Sequence, residues 1–472
     1  MAKLFGTDGA RGVANTGLTC QTAFRLGQAA VDILGNTLVV GRDTRISGDM
    51  LFCSLAAGVM SRGGIVYDAG IIPTPGVAFL CRELHAAGGV VISASHNPPE
   101  YNGIKFFDGQ GFKLDESTEE RFEAAVERAE QHAVAGVEAQ ADGCVQAAVD
   151  QVEALTCETA KMPTGGEVGV VVPVEDACRR YVDHAVRIVR EAGLSFDGLV
   201  VALDAGHGAA SLTSREALEQ LGATVHVINE DFTGTDINVE CGSTYLEPLK
   251  RLVAEVRADV GMAHDGDADR VMFVDELGQE IDGDVVEAVC AVDLKAQGLL
   301  PGNTVVSTVM CNLGFTKAME RSGIAVEQTQ VGDKYVLARM REGGFALGGE
   351  QSGHMIFLEH NSTGDGLVTA CMFLSAVLRK GGTVSEAASV MQRFPQQLIN
   401  VRVTDKHAVA GNGAVAAQIA REDAKLAGSG RILVRPSGTE PLVRVMVEAP
   451  TDEQAYDVAR RIADVVEREL GA

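Results

Sequence analysis

At 472 residues the chain is too long for a small disulfide-stapled module and long enough for about three domains of roughly 150 residues each. Apolar residues make up 46% and charged residues 22%, and the mean hydropathy is marginally positive, which excludes a globally disordered chain. The 65 acids against 40 Lys plus Arg leave a formal charge of −25, so nucleic acid and anionic membrane are repelled and any anionic substrate must be held by local cations. No apolar run approaches the roughly 18 residues needed to cross a bilayer, and Met1 to Arg11 carries Asp8 and lacks an apolar signal core. A cytoplasmic protein without nucleic-acid or membrane partners is expected. The ten cysteines form no CxxC pair and no Cys/His cluster at zinc spacing, as expected of reduced thiols. The 54 glycines exceed the usual share of about 7% and signal many tight loops.

In chain order, a helix is predicted near Thr19 to Leu34, a strand at Thr37 to Gly41, a helix from Ser47, and a strand at Gly64 to Tyr67. After a further helix comes the strand Gly88 to Ile92, which reads as continuously apolar, the mark of a sheet covered on both faces. The segment Glu127 to Gly166 reads as a helical excursion ending in the loop-like PTGG. Strands follow at Leu199 to Leu203, Thr224 to Ile228 and Val260 to Ala263, then at Thr304 to Ser307, Ile324 to Glu327 and Phe345 to Leu347. The tail reads differently: a strand near Leu398 to Val403, a helix from His407, strands at Ile432 to Val434 and Leu442 to Glu448, and a helix from Asp452. The expected fold is α/β: three related α/β-layer domains with mixed sheets (1–165, 166–279, 280–382) and a smaller C-terminal α+β domain (383–472) around a central cleft.

Four loops carry chemistry. SASHNP (Ser93 to Pro98) follows an apolar strand directly, at the strand end where α/β sheets bind ligands, and makes Ser95 a candidate nucleophile beside His96. No GxSxG elbow surrounds Ser95, and a Ser-His pair alone equally suits the capping of a turn. Asp265, Asp267 and Asp269 alternate between two apolar strands and can converge on one hard cation, Mg²⁺ or Ca²⁺ rather than zinc. An EF-hand fails because Arg270 stands where the sharp turn needs glycine, and the alternative is a solvated acidic turn. GGEQSGH (Gly348 to His354) offers Glu350 and Ser352 to a polyol or amine, or is an ordinary polar turn. RPSGTEP (Arg435 to Pro441) sets Arg435, Ser437, Gly438 and Thr439 as an anion cradle, with Arg444 on the following strand, unless both arginines merely cover surface. GTDGARG places Arg11 in a glycine loop and NGIKFF places Lys105 just past the serine loop. No Walker motif is present.

These motifs, in this order and across essentially the whole chain, resemble the phosphohexomutase superfamily, and their spellings are most similar to its bacterial glucosamine-phosphate branch. The resemblance implies that Ser95 is the phosphoserine and that Asp265, Asp267 and Asp269 hold one Mg²⁺ together with a phosphoserine oxygen. It also implies that Glu350 and Ser352 bind the sugar, and that the Arg435 loop binds the resting phosphate. The implied activity is interconversion of glucosamine 6-phosphate and glucosamine 1-phosphate through glucosamine 1,6-bisphosphate as intermediate and activator, feeding cell-wall precursor synthesis. Acid–base work is assigned to Lys105 and His354. Arg270 and Arg11 supply charge stabilisation, since an arginine is too weak an acid to serve as a base.

Three departures stand out: Ala268 where the family has glycine, which is expected to tighten the metal loop slightly, Lys334 in VGDKYV where arginine is usual, and a long 127–166 segment. Expected partners are a sugar phosphate, a protein kinase or self-phosphorylation for activation, and a second copy in a homodimer. The rivals are a phosphoglucomutase or phosphomannomutase, a metal-dependent phosphatase, and a non-catalytic Ca²⁺ or sugar-phosphate binding protein.

Overall fold

The computed structural model describes residue 5 and residues 9–141, 162–437 and 440–472. The chain folds as two compact units, Met1–Val309 with Glu327–Ala388, and Met310–Val326 with Ser389–Ala472. Among the described residues no helix is long and apolar enough to cross a membrane, and no disulfide links the cysteines.

The first unit holds three mixed sheets. Strands β1 (Ala10–Val13), β2 (Thr37–Arg42), β3 (Ile65–Ile71), β4 (Gly88–Ile92), β5 (Tyr101–Asp108) and β6 (Val171–Pro173) form a sheet in the order β1-β5-β4-β2-β3-β6. Its β2, β3, β4 and β6 are parallel, β5 runs antiparallel to β4, and β1 at the edge runs antiparallel to β5. Because β6 joins this sheet, the first layer extends past the boundary read at residue 165. The second sheet contains β7 (Val200–Asp204), β8 (Thr224–Ile228), β9 (Val260–His264), β10 (Val271–Asp275) and β11 (Glu280–Ile281), ordered β11-β10-β9-β7-β8. The third contains β12 (Thr304–Thr308), β13 (Ala325–Thr329), β14 (Leu347–Gly349) and β15 (Met355–Phe357), ordered β13-β12-β14-β15. Each layer repeats one plan, parallel strands followed by an antiparallel return.

Burial explains the plan. Every residue of β4, β9 and β12 is buried, as continuous apolar strands between helical layers must be. The helix Cys20–Ile33 begins at Thr19, whose hydroxyl accepts from Thr22 N at 3.2 Å, and it crosses the helix Gly48–Ser61 at bare backbone. A Cβ on Gly58 would sit 2.0 Å from Phe24 O, and one on Gly27 2.2 Å from Leu55 O. Phe5, Phe106 and Phe122 close the other end of this core with ring centroids 4.5–6.2 Å apart. Phe122 lies on the helix Glu116–Ala141, which starts eleven residues before the predicted excursion; 142–161 of that excursion lie outside the described residues.

The second unit is an antiparallel sheet, β16 (Gln396–Arg402), β17 (Arg431–Pro436) and β18 (Leu442–Glu448), in the order β16-β18-β17. The helix Asp452–Leu470 packs on it. Buried Glu448 organises this unit, accepting from Asn312 Nδ2 (3.2 Å), Leu313 N (3.0 Å) and Arg431 Nε (3.0 Å). The helix predicted from His407 is instead a 3₁₀ turn, Lys406–Gly411. The α-helix starts only at Gly413, because Asp405 caps the turn and Asn412 then caps the helix through Ala414 N and Val415 N.

Two outcomes follow. Gly58→Ala should destabilise the first unit by about 1–3 kcal/mol, read as a lower thermal midpoint, because a carbonyl on a packed helix cannot yield to a methyl group. His184 stacks on Phe79 (4.6 Å) and donates from Nε2 to His360 O (3.0 Å), and burial pushes its imidazole down to about 4. Its unfolded value is about 6.5, so the stability it permits is complete above that pH and is lost as pH falls from about 6.5 toward 4. Replacing His184 by Gln should flatten the midpoint-against-pH curve across that window.

Candidate active site

The serine loop is built from β2 and β4 together. Ser93 Oγ donates to Asp43 Oδ2 (2.6 Å) and accepts from Ser95 N (2.8 Å). Arg45 donates to Asp43 Oδ2 (2.9 Å) and then to the carbonyls of Ser95 (2.9 Å), Asn97 (2.7 Å) and Tyr101 (2.9 Å). Asn238 Nδ2 reaches Ser95 O from the second layer at 2.8 Å. These contacts hold Ser95 at φ +52°, a left-handed conformation that costs a non-glycine residue roughly 1–2 kcal/mol. Neighbouring Ser and His side chains rarely meet, yet the bent backbone brings His96 Nδ1 to 3.4 Å from Ser95 Oγ.

The acidic loop joins β9 to β10. Ser95 Oγ donates to Asp265 Oδ2 at 2.5 Å. Asp267 Oδ2 accepts from Thr74 Oγ1 (2.7 Å) and from Lys105 Nζ (2.9 Å), which stands on β5 just past the serine loop. Arg270 N donates to Asp265 Oδ1 (3.2 Å), and its guanidinium lies 3.7 Å from Asp269. Ala268, where glycine was expected, sits at φ +53°, so the loop carries a methyl group in the conformation glycine would take freely. Packing against bare backbone completes the loop, since a Cβ on Gly366 would lie 2.6 Å from His264 Nδ1 and one on Gly266 2.8 Å from Ser95 O.

Asp265, Asp267 and Asp269 offer buried carboxylate oxygens within 4.8 Å of one another. Asp267 Oδ1 and Asp269 Oδ1 are buried without hydrogen-bond partners. Burial, reinforced by Asp269 and Asp267, pushes the Asp265 carboxyl well above the usual range. At Asp269 burial acts the same way but is outweighed by His354, Lys105 and Arg270, which hold that carboxyl below the usual range. Hard oxygen donors, two of them orphaned, and like charges that repel without a cation fit a divalent ion such as Mg²⁺.

His96 is pushed down by burial, then by Arg270 and Arg11. Arg11 therefore does reach this region, but from β1, where it pairs with Gly103 of β5, and not from a glycine loop. Glu350 follows β14, and its Oε1 accepts from Gly332 N at 3.1 Å, while Ser352 is exposed. His354 closes the same loop, 3.6 Å from Asp269. In the second unit Arg435 and Arg444 stand directly opposite each other on β17 and β18. Arg435 is pushed down by burial and then by Arg444, a juxtaposition of cations that invites an anion. Ser437 is buried and accepts from Glu440 N (3.4 Å), while Gly438 and Thr439 lie outside the described residues. Sequence reading missed Asp43, Arg45 and Thr74; the only local signal was a charged stretch, GRDTR, directly after an apolar strand.

A serine oxygen buried against acids has chemical use where a cation and a phosphoryl group neutralise each other. On three mixed α/β layers followed by a small antiparallel domain, that places the chain among phosphoryl-transferring hexose phosphate mutases. Family descriptions of phosphoglucomutase/phosphomannomutase match it in four successive pieces: α/β/α domain I over residues 2–133, domain II over 179–278, domain III over 282–394 and the C-terminal domain over 398–465. The chain belongs to this family. It is 49% identical to a phosphoglucosamine mutase of Shouchella clausii over 100% of both chains, and 48% identical to one of Desulforamulus reducens over 99% of both. Its fold matches a phosphoglucomutase/phosphomannomutase family protein of Burkholderia thailandensis (TM-score 0.77, 22% identity, 100% and 99% covered). It also matches the Aspergillus fumigatus N-acetylphosphoglucosamine mutase solved with GlcNAc-6P and magnesium (TM-score 0.67, 19% identity, 98% and 95% covered).

Mg²⁺ should raise the thermal midpoint in a concentration-dependent way, by about 2.7 kcal/mol of added stability at a hundredfold excess over Kd. Asp267→Asn should abolish most of that increment, measured by thermal shift in Mg²⁺ titrations against a chelator control.

Proposed function

We propose that this chain interconverts glucosamine 6-phosphate and glucosamine 1-phosphate, with Ser95 as the phosphoryl carrier. The observation that carries the reading is the 2.5 Å contact of buried Ser95 with Asp265 inside a three-carboxylate cluster that Lys105 also enters. Full-length relatives described as phosphoglucosamine mutases support the amino sugar over glucose or mannose.

In this cycle phospho-Ser95 gives its phosphoryl group to the free O1 hydroxyl of glucosamine 6-phosphate. The O–P bond to Ser95 breaks as the new one forms, the hydroxyl proton passes to a base, Lys105 or His354, and one proton ends on the departing Ser95 Oγ, which then donates to Asp265. The 1,6-bisphosphate turns over without leaving, and the 6-phosphoryl group returns to Ser95, whose hydroxyl gives up its proton as the O6–P bond breaks and the acid–base group hands a proton to O6. Mg²⁺, when bound, neutralises charge on the transferring phosphoryl oxygens. The side chains of Arg270 and Arg11 add positive charge, and Lys105 holds Asp267 in place. His354 suits the acid role, because Asp269 and Asp333 outweigh burial and keep its imidazole above the ordinary histidine value. Glu350 and Ser352 bind the sugar, and Arg435, Ser437 and Arg444 form a phosphate cradle in the second unit.

The same reading includes first phosphorylation of Ser95 by the bisphosphate itself or by a protein kinase, a cytoplasmic homodimer, and supply of a precursor for cell-wall amino sugars.

A coupled assay on glucosamine, glucose and mannose 6-phosphates, with and without a trace of the 1,6-bisphosphate, tests the substrate. Glucosamine phosphate should turn over fastest, and equal rates on all three overturn the choice. Ser95→Ala should abolish turnover and phosphate labelling. Asp267→Asn should lower kcat by at least about a hundredfold, whereas Arg435→Ala should mainly raise KM; the reverse pattern overturns these roles.

A further inference from the structure

We infer that Lys113 and Asp333 are positioning residues for His354, and that they make the acid–base group of the third layer dependent on the first. The inference rests on the mutase reading above and deepens it.

The imidazole of His354 is almost completely buried and held from three directions. One face lies on bare backbone: a Cβ on Gly364 would come within 2.3 Å of the ring atoms Cε1 and Nε2. Nδ1 stands 3.6 Å from Asp269 Oδ2 of the acidic loop, and Nε2 stands 3.6 Å from Asp333 Oδ2. Both separations exceed a hydrogen bond, and Nε2 is buried without a hydrogen-bond partner. The ring is thus suspended between two carboxylates and bonded to neither.

Asp333 is itself fixed. It opens the helix Asp333–Gly343, and its Oδ1 accepts from Lys334 N at 2.8 Å. Its Oδ2, the oxygen that faces His354, is taken by Lys113 Nζ in a tight ion pair. Lys113 follows β5 and bridges back to Phe107, so it moves with the first sheet and with Lys105. Charge alternates along the path Lys113, Asp333, His354, Asp269, Lys105, from a point remote from the serine to the carboxylates beside it. Lys113 occupies the oxygen that would otherwise close on Nε2. Remove the lysine, and Asp333 is released to draw the ring toward the helix and away from the reacting oxygens. Remove the carboxylate, and the ring loses the anchor at that end. A displacement of about 1 Å in a reacting group costs on the order of a hundredfold in rate.

The experiment measures kcat and KM for Lys113→Met and Asp333→Asn, each alone and in a His354→Gln background, together with ¹⁵N imidazole NMR of the holoenzyme. Each single variant should lower kcat by about tenfold or more with KM for the sugar phosphate changed less than about twofold, and should shift the His354 ring nitrogens. Lys113→Arg should restore most of the loss. In the His354→Gln background neither change should lower kcat further, which a merely structural role would not produce. Additive losses, an effect confined to KM, or an unshifted His354 signal would overturn the inference. Should Asp333→Asn fail to fold, the Lys113 pair of variants decides alone. Wild-type enzyme that turns over none of the hexose phosphates would instead sink the underlying mutase reading, while the NMR shift would still report whether Lys113 governs the ring.

Discussion

Three carboxylates and a serine hydroxyl share one buried site in a chain that already carries an excess of negative charge. Two carboxylates 4–5 Å apart in a medium of effective dielectric about 20 repel by roughly 3–4 kcal/mol before any cost of burial is added. Everything around the acidic loop answers that repulsion. Lys105 and Thr74 donate to Asp267, Arg270 lies beside Asp269, and Asp265 takes up the serine proton donor. Two oxygens still lack partners, and these are the ones that a divalent cation would satisfy. The same neutralisation is what an incoming phosphoryl group requires, so the fold's main electrostatic strain and its chemistry are one problem.

Holding that arrangement demands backbone in unusual places. Ser95 and Ala268 are both left-handed, and both belong to loops at the carboxyl ends of buried strands, where side chains of a parallel sheet's loops converge. A strained serine persists only where its surroundings over-determine it. The buried Asp43–Arg45 pair does this by binding three carbonyls of the serine loop, those of Ser95, Asn97 and Pro98, and that of Tyr101 at the start of β5, in addition to its own carboxylate. The loops can meet because the backbone is bare at their contacts: Gly266 lies against Ser95 O, and Gly366 against His264. The glycine excess is explained by close approach as much as by turns.

The second unit solves a different problem. Its sheet is antiparallel, its core is the apolar face of the helix Asp452–Leu470, and a single buried carboxylate, Glu448, ties Asn312, Leu313 and Arg431 together. Segment 310–326 is captured in this way by residues more than a hundred positions later and belongs to the same compact unit as Ser389–Ala472.

Short-range physics made a large part of this protein legible. The apolar run GGVVI fixes its strand to the residue, because a strand covered on both faces has no polar alternative, and Thr19 and Thr451 mark helix starts through local capping. The serine, the alternating aspartates and the two histidines could be singled out because each stands in a short loop after such a run. What required the tertiary structure was every pairing across long separations: Ser95 with Asp265, Lys105 with Asp267, Thr74 with Asp267, Lys113 with Asp333 and Asp333 with His354. Polar residues carry no periodic signal of their partners. Arg11 reads as a loop cation because β1 interrupts its apolar pattern with Arg and Gly that only the neighbouring layers make tolerable. Local pattern decided which segments fold and where chemistry is carried. Only packing of the layers decided which charge meets which, since that choice depends on burial and distance, neither of which a linear sequence contains.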